Sequence, residues 1–334
     1  MATLVNGDQR AMQIVITGGA GFLGSKLAAA LLARGKLTDA QGRLRAIERI
    51  TLVDTSAAHS TDPRVATVAG DIADPALIEH AVLRGADSVF HLAAVVSGEA
   101  EANFDLGWHV NVDGTRALLH RCRKLPAPAK VVYTSSCAVF GGPLPDPVPD
   151  SQAPWPQSSY GNQKAIGEFL VNDYTRKGFI DGRSLRLPTI SIRPGKPNKA
   201  ASSFASGILR EPLNGVDAVC PVAGTTRMWL LSPQRAIDNL IVAHEAPARA
   251  FAHTRSINVP GISTSVDAML AALRRVAGDD VADRVSFRVD PAIDRIVQTW
   301  PVNFDTAFGN ALGMHADADF DAIIRQYIDH DRHA

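Results

Sequence analysis

An α/β fold on a doubly wound parallel sheet is what this chain predicts, and three observations carry the prediction. First, Met12-Gln13-Ile14-Val15-Ile16-Thr17 is an apolar run of strand length. It enters Gly18-Gly19-Ala20-Gly21-Phe22-Leu23-Gly24, then Leu27, Ala28, Leu31 and Leu32 at helical spacing. Second, short apolar runs and helical stretches continue to alternate down the chain, the pattern of successive βαβ units. Third, 334 residues at 46% apolar and 20% charged suffice for one large domain with a core, or a domain plus a lobe.

A strand, a glycine turn and a helix in that order form the first unit of a dinucleotide-binding, Rossmann-type fold. Gly19, Gly21 and Gly24 satisfy G-x-G-x-x-G, while Gly18, Gly21 and Gly24 satisfy the T-G-x-x-G-x-x-G variant. The glycines let backbone approach a pyrophosphate, which Phe22, Leu23 and Gly24 meet at the positive end of the helix. Lys36 to Arg49 reads as a polar insertion, and Ile50-Thr51-Leu52-Val53-Asp54 as the second strand. A carboxylate there accepts from an adenosine ribose and repels a 2'-phosphate, which selects NAD over NADP. Val65 to Ala69 is a third strand, followed by the turn Gly70-Asp71-Ile72. Pro75 to Leu83 is a helix whose first-turn proline follows Asp74 as its N-cap.

Asp87 to Ala94 gives a fourth strand and its exit, where small residues permit close approach and His91 reads as structural. A helix holds Asn111 to Thr115 and reaches about Lys124. Val131 to Ser136 is a fifth strand, leading to Cys137-Ala138-Val139-Phe140-Gly141. Six prolines between Gly142 and Gln157 predict an irregular loop. Ser184 to Ile192 reads as a sixth strand and Ile257 to Val259 as a seventh; Leu230 to His244, Val266 to Val276 and Phe320 to Ile328 read as helices.

After the proline-rich loop comes Ser158-Ser159-Tyr160-Gly161-Asn162-Gln163-Lys164. Residues at i and i+4 share a helix face, so Lys164 stands beside Tyr160. An ammonium at ~5 Å, with an effective dielectric of about 20, favours a phenolate by roughly 3 kcal/mol. That is about two pKa units, which predicts a phenol lowered into the range useful for proton transfer.

In Thr17 to Gly24, Asp54, Gly70-Asp71, His91 to Ala94, Asn111 to Thr115, Ser135 to Gly141 and Tyr160 to Lys164, the chain resembles the extended short-chain dehydrogenases/reductases. That family includes the nucleotide-sugar epimerases. The resemblance implies a catalytic set of Ser136, Tyr160 and Lys164. It implies NAD held by Gly18, Gly21, Phe22, Leu23, Gly24, Asp54, Asp71, Ile72 and Ala93, with Tyr160, Lys164, Pro188 and Ile190 at the nicotinamide end. Asn111 is implied to support a helix kink.

The later sequence is distinctive in Arg186 to Ile190, Arg193 to Phe204, Arg210 to Leu213 and Ala218 to Val222. There it resembles the D-erythronate dehydrogenase branch, which implies oxidation at C2 of a short sugar acid. Arg193, Lys196, Lys199 and Arg227 are more cations than a neutral sugar requires, and such groups suit a carboxylate or phosphate. Expected substrate contacts are Ser97, Ser136, Tyr160, Thr189, Asn198, Lys199 and Arg227, with Arg227 on the carboxylate. A nucleotide-sugar 4-epimerase or a dehydrogenase of uronates or other aldonates is the alternative expectation.

Residues 1–193 with about 230–260 are expected to form the NAD-binding domain; residues 194–229 and 261–334 should form a smaller mixed α/β lobe capping the substrate. The helices around Val112 to Leu119 and Ala165 to Val171 carry more apolar residues than one sheet face needs, and the family resemblance implies that they pair in a homodimer through four helices. A formal net charge of +0 points to neither nucleic acid nor a membrane surface. The polar start, the absence of a spanning apolar run, and Cys122, Cys137 and Cys220 without metal-type spacing predict a cytoplasmic protein with reduced thiols and no metal.

Overall fold

A computed structural model describes residues 11–82, 85–195, 200–251 and 254–332. The strands are β1 (Met12–Thr17), β2 (Lys36–Thr38), β3 (Leu44–Asp54), β4 (Val65–Ala69), β5 (Ser88–His91), β6 (Lys130–Ser136) and β7 (Asp181–Leu187). Six further short ones follow: β8 (Thr189–Ile190), β9 (Ala218–Cys220), β10 (Arg227–Leu231), β11 (Ser256–Asn258), β12 (Ile262–Ser265) and β13 (Val285–Phe287). The helices that build the site are α1 (Phe22–Arg34), α2 (Pro75–Val82), α3 (Ser97–Ala102), α4 (Phe104–Trp108), α5 (Thr115–Cys122) and α6 (Ser159–Arg176). Then come α7 (Phe204–Leu213), α8 (Pro233–Glu245) and α9 (Val266–Ala277).

The main sheet runs β11-β7-β6-β5-β1-β3, with β4 and the antiparallel β2 also on β3. The chain leaves β1 for one side of the sheet and returns to β5 on the other. The crevice for a ligand therefore opens at the carboxyl ends of β1 and β5, the topological switch point. Helices cover both faces, so β1 is apolar in both directions: Ile14 and Ile16 face the core with Leu27, Leu31, Ile237 and Leu240. Val15 faces the opposite core with Ile72, Leu118, Leu119 and Val171. A third core gathers Ile192, Ile208, Leu209, Met228, Leu230, Met269, Leu273 and Ile323 around the small β8-β10-β12 sheet.

Two expectations are corrected. Lys36 to Arg49 is not a loose insertion but a β-hairpin, with Lys36 paired to Ala46 and Thr38 to Leu44. Leu37 and Ile47 sink into the first core, and the buried Asp39 carboxylate organises the turn by accepting from the Gln41 and Arg43 N–H groups. The run from Ser184 to Ile192 is two strands. Pro188 has no N–H to donate to a ladder, so β7 ends at Leu187, and Thr189–Ile190 pairs with Leu230 and Leu231 of β10 instead.

A hydrogen-bond relay locks the switch point. The Ala93 N–H donates to Thr17 Oγ1 at 3.2 Å, and that hydroxyl lies 2.7 Å from His91 Nδ1. On the other side His91 Nε2 lies 2.8 Å from Thr115 Oγ1, which donates to the Asn111 carbonyl. Since the Thr115 hydroxyl spends its proton on Asn111, Nε2 donates. Burial, then the Lys164 charge, pushes the His91 pKa down to about 3, so the ring is neutral and Nδ1 accepts from Thr17. Its folded pKa lies below the unfolded value, so its contribution to stability is full above pH ~6.5 and is lost as pH falls toward 3. Thermal unfolding should show a midpoint falling with pH below ~6.5, and His91→Gln, less stable at neutral pH, should show a shallower fall. An equally steep fall in the variant would contradict the relay.

Candidate active site

The glycine loop is shaped for close approach. Gly18 has φ +71°, and a Cβ there would stand 2.8 Å from the Ala93 nitrogen. A Cβ on Gly24 would run into the Gly18 carbonyl. Gly21 caps α1 without any side chain, so the first-turn N–H groups point outward unclaimed by a capping side chain. Asp54 ends β3 with its carboxylate accepting from the Ala20 N–H at 3.0 Å, which fixes the acid against the loop. A narrow cradle, an open helix terminus and a positioned carboxylate fit pyrophosphate and ribose respectively. Further along the crevice, Ile72 is buried, and Asp71 accepts from the Ala73 N–H at 2.8 Å and lies 2.7 Å from His109 Nε2. His109 was not anticipated from the sequence. Burial works against the lowered pKa of Asp71, which the Ala73 N–H and then His109 produce.

Tyr160 enters the site at the second position of α6, whose N-cap Ser158 accepts from the Gly161 N–H. Gly161 is required there, because a Cβ would run into the Ala138 carbonyl. Helix α6 thus presses against the turn after β6, bringing Ser136 to the phenol. The Ser136 hydroxyl accepts from the Ala138 N–H at 3.1 Å and is close enough to the phenol to favour its ionised form. Lys164 is buried, its Nζ donating to the Thr134 carbonyl at 2.8 Å and lying 5.7 Å from the Tyr160 ring centre. Ser136, Tyr160 and Lys164 are therefore brought together.

The electrostatics correct the simple two-body expectation. Burial, reinforced by the Cys137 thiol, pushes Tyr160 up to about 12, against the opposing pull of Ser136 and Arg193. Burial likewise drives Lys164 down to about 7, with Glu168 pulling it back up. Desolvation disfavours the charged form of each group, and in the free protein it outweighs the stabilisation that the i, i+4 spacing suggested.

The substrate side is more dispersed. Ser97 opens α3 and is half-buried; Thr189 lies half-buried on β8 directly after the buried Pro188, with Ile190 beside it. Arg227 is exposed at the start of β10 and donates to Ser263 Oγ at 2.8 Å. Asn198 and Lys199 lie outside the described residues. A surface hollow of about 700 Å³ on the outside of the second lobe, lined by Asp267, Leu270, Arg274 and Phe287 among others, contains none of these positions. Asn111 sits in a π-helical turn, His109–Gly114, where it accepts from the Val95 N–H and donates to Gln163. Its amide ties that widened turn to β5's exit and to α6.

Comparison with known proteins agrees with this geometry. Residues 14–251 match the family described as the NAD dependent epimerase/dehydratase family. A D-erythronate dehydrogenase from Cupriavidus necator is 54% identical over 319 residues, covering 95% of this chain and 98% of that protein. Another from Haemophilus influenzae is 44% identical, covering 96% and 100%. The crystal structure of a nucleoside-diphosphate-sugar epimerase from Agrobacterium tumefaciens superposes with a TM-score of 0.90 at 41% identity, over 96% of this chain and 94% of that one. The chain belongs to the NAD dependent epimerase/dehydratase family, the extended short-chain dehydrogenases/reductases.

Proposed function

We propose that this protein oxidises the C2 hydroxyl of a short sugar acid, D-erythronate, to the 2-oxo acid. The observation that carries the reading is likeness to D-erythronate dehydrogenases along almost the whole chain, second lobe included. NAD, when bound, supplies the acceptor for the hydride that leaves C2. Gly18, Gly21, Gly24 and the first turn of α1, at Phe22 and Leu23, would hold its pyrophosphate, Asp54 the adenosine ribose, and Asp71 and Ile72 the adenine. Ala93, Pro188 and Ile190 would line the nicotinamide end.

In this reading the C2 hydroxyl sits between Ser136 and Tyr160. Ser136 donates a hydrogen bond that orients it, and Tyr160 takes its proton as the carbonyl forms. Tyr160 does so as its phenolate, which Ser136, Arg193 and the protonated form of Lys164 favour, and Lys164 keeps a donor for the nicotinamide ribose. Ser97, Thr189 and Asn198 serve the remaining hydroxyls. Lys199 and Arg227 would attract the anion by their charge. No helix among the described residues is long and apolar enough to cross a membrane.

An epimerase uses a similar apparatus, and the Agrobacterium tumefaciens structure carries that name. Net NADH formation separates the two. D-Erythronate, tested beside other four- to six-carbon aldonates and uronates with NAD and NADP in parallel, should give NADH most efficiently. Tyr160→Phe should lose about 10² to 10⁴ in kcat while its NADH affinity, measured by fluorescence titration, stays within a few-fold. Ordinary turnover by that variant would remove Tyr160 from its role.

We also propose a homodimer. Val112, Leu118, Leu119, Ala165 and Val171 are interior to the subunit. The surface these helices offer a partner is carried by Phe169, within Ala165 to Val171 and 61% exposed, beside Phe104, Leu106 and Trp108 of α4, exposed by 56%, 36% and 40%. Light scattering at micromolar concentration should give twice the chain mass, with Phe169→Asp shifting it toward monomer. A monodisperse parent monomer would refute the dimer.

A further inference from the structure

Arg193 stands where the chain leaves β8 for the second lobe. Just before it, Ile192 is fully buried in the lobe's core, and the Ser191 hydroxyl donates to the Ala205 carbonyl at 2.9 Å. The Arg193 N–H donates to Ser206 Oγ at 3.1 Å, and its carbonyl accepts from Arg210 Nη1 at 2.9 Å. Ser206 and Arg210 are themselves 1% and 5% exposed, so the backbone carrying this side chain is clamped at both ends.

The guanidinium is unlike the other arginines held in the interior. Arg183 is paired with Asp181, Arg186 with Glu168 and Arg210 with Glu211. Among the described residues no carboxylate forms an ion pair with Arg193. The charged or ionisable groups that act on it are Arg210, which repels it, and the Tyr160 phenol. Burial, then Arg210, lowers its pKa, and the phenol opposes both. A partly buried cation without a counter-ion is costly, and this one lies within electrostatic reach of the Tyr160 phenol.

The chemistry of a 2-hydroxy acid gives that position a meaning. Its carboxylate is bonded directly to the carbon that carries the reacting hydroxyl. Whatever binds the carboxylate must therefore lie close to whatever takes the hydroxyl's proton. Arg193 meets this condition, whereas Arg227 is exposed, engaged with Ser263, and absent from the charges acting on Tyr160. We infer that Arg193 is the residue that receives the substrate's C1 carboxylate, its planar fork matched to the two oxygens. The inference rests on the sugar-acid reading above and deepens it. It also assigns specificity: a neutral polyol would leave the cation unpaired and bind poorly.

The test uses Arg193→Met, Arg193→Lys and Arg227→Gln in the full-length enzyme. KM and kcat for D-erythronate are measured, together with equilibrium binding of D-erythronate to the NADH complex by calorimetry. Arg193→Met should raise KM and the dissociation constant about 10²-fold or more, as expected for a lost carboxylate pair, with NADH affinity retained. Arg193→Lys should recover part of the loss, and Arg227→Gln should lose at least tenfold less affinity than Arg193→Met. A collapse of kcat with an upward-shifted pH profile and unchanged D-erythronate affinity would overturn the inference, leaving Arg193 to act on Tyr160 alone. A larger affinity loss in Arg227→Gln would overturn it too. Failure of the unmodified enzyme to form NADH from D-erythronate would instead sink the functional reading, and this inference with it.

Discussion

The site depends on carrying one ammonium out of water and keeping it beside a phenol. Lys164 is 2% exposed and spends a hydrogen on the Thr134 carbonyl, two residues before the end of β6. One turn further along α6, Glu168 supplies the compensating negative charge. That carboxylate is itself held by the Ser135 hydroxyl at 2.6 Å and by Arg186 of β7 through Nε and Nη2. Helix α6, strand β6 and strand β7 are thus fastened at one buried carboxylate. A loose Lys164 would be free to find water; a fixed one acts on the tyrosine at its side. Removing any partner leaves a buried charge uncompensated, which is why this network belongs as much to the fold as to the chemistry.

The charges around the phenol act in opposite directions. Burial holds Tyr160 and Lys164 toward their uncharged forms, and Arg193 and the Ser136 hydroxyl are the influences that favour the phenolate. A substrate oxygen placed between Ser136 and Tyr160 gives the proton a short path. The carboxylate accounted for by Arg193 fixes which carbon faces the cofactor. Proton acceptor and anion anchor come from different parts of the chain, α6 and the segment after β8. The anchor's backbone is clamped by Ser206 and Arg210 of α7, so the anion's position is tied to the packing of that helix.

Much of this was legible in the residues because it is local. The glycine spacing, Asp54 at a strand end and the Tyr160–Lys164 interval each encode a backbone requirement or a helix face. The structure places Ser136 against Tyr160 where the resemblance implied. What stayed hidden is non-local. The hairpin at Lys36 to Arg49 looked polar because its buried members, Leu37, Asp39 and Ile47, are spaced among exposed charges. The phenol's pKa is not legible in the Tyr160–Lys164 spacing, because a pairwise sum of charges omits the desolvation that only packing reveals. Arg193 was one cation among four until its missing counter-ion and its coupling to Tyr160 distinguished it. The Asp71–His109 contact joins residues 38 apart in sequence, and no spacing rule announces it.

The central claim is that the site moves a hydride from C2 of a sugar acid to NAD and releases both products. D-Erythronate carrying deuterium at C2, incubated with NAD and the purified protein, tests this most directly. The account predicts deuterium on the released NADH, with an equal amount of 2-oxo acid. Deuterium returned to the substrate with C2 inverted, and no net NADH, would contradict it.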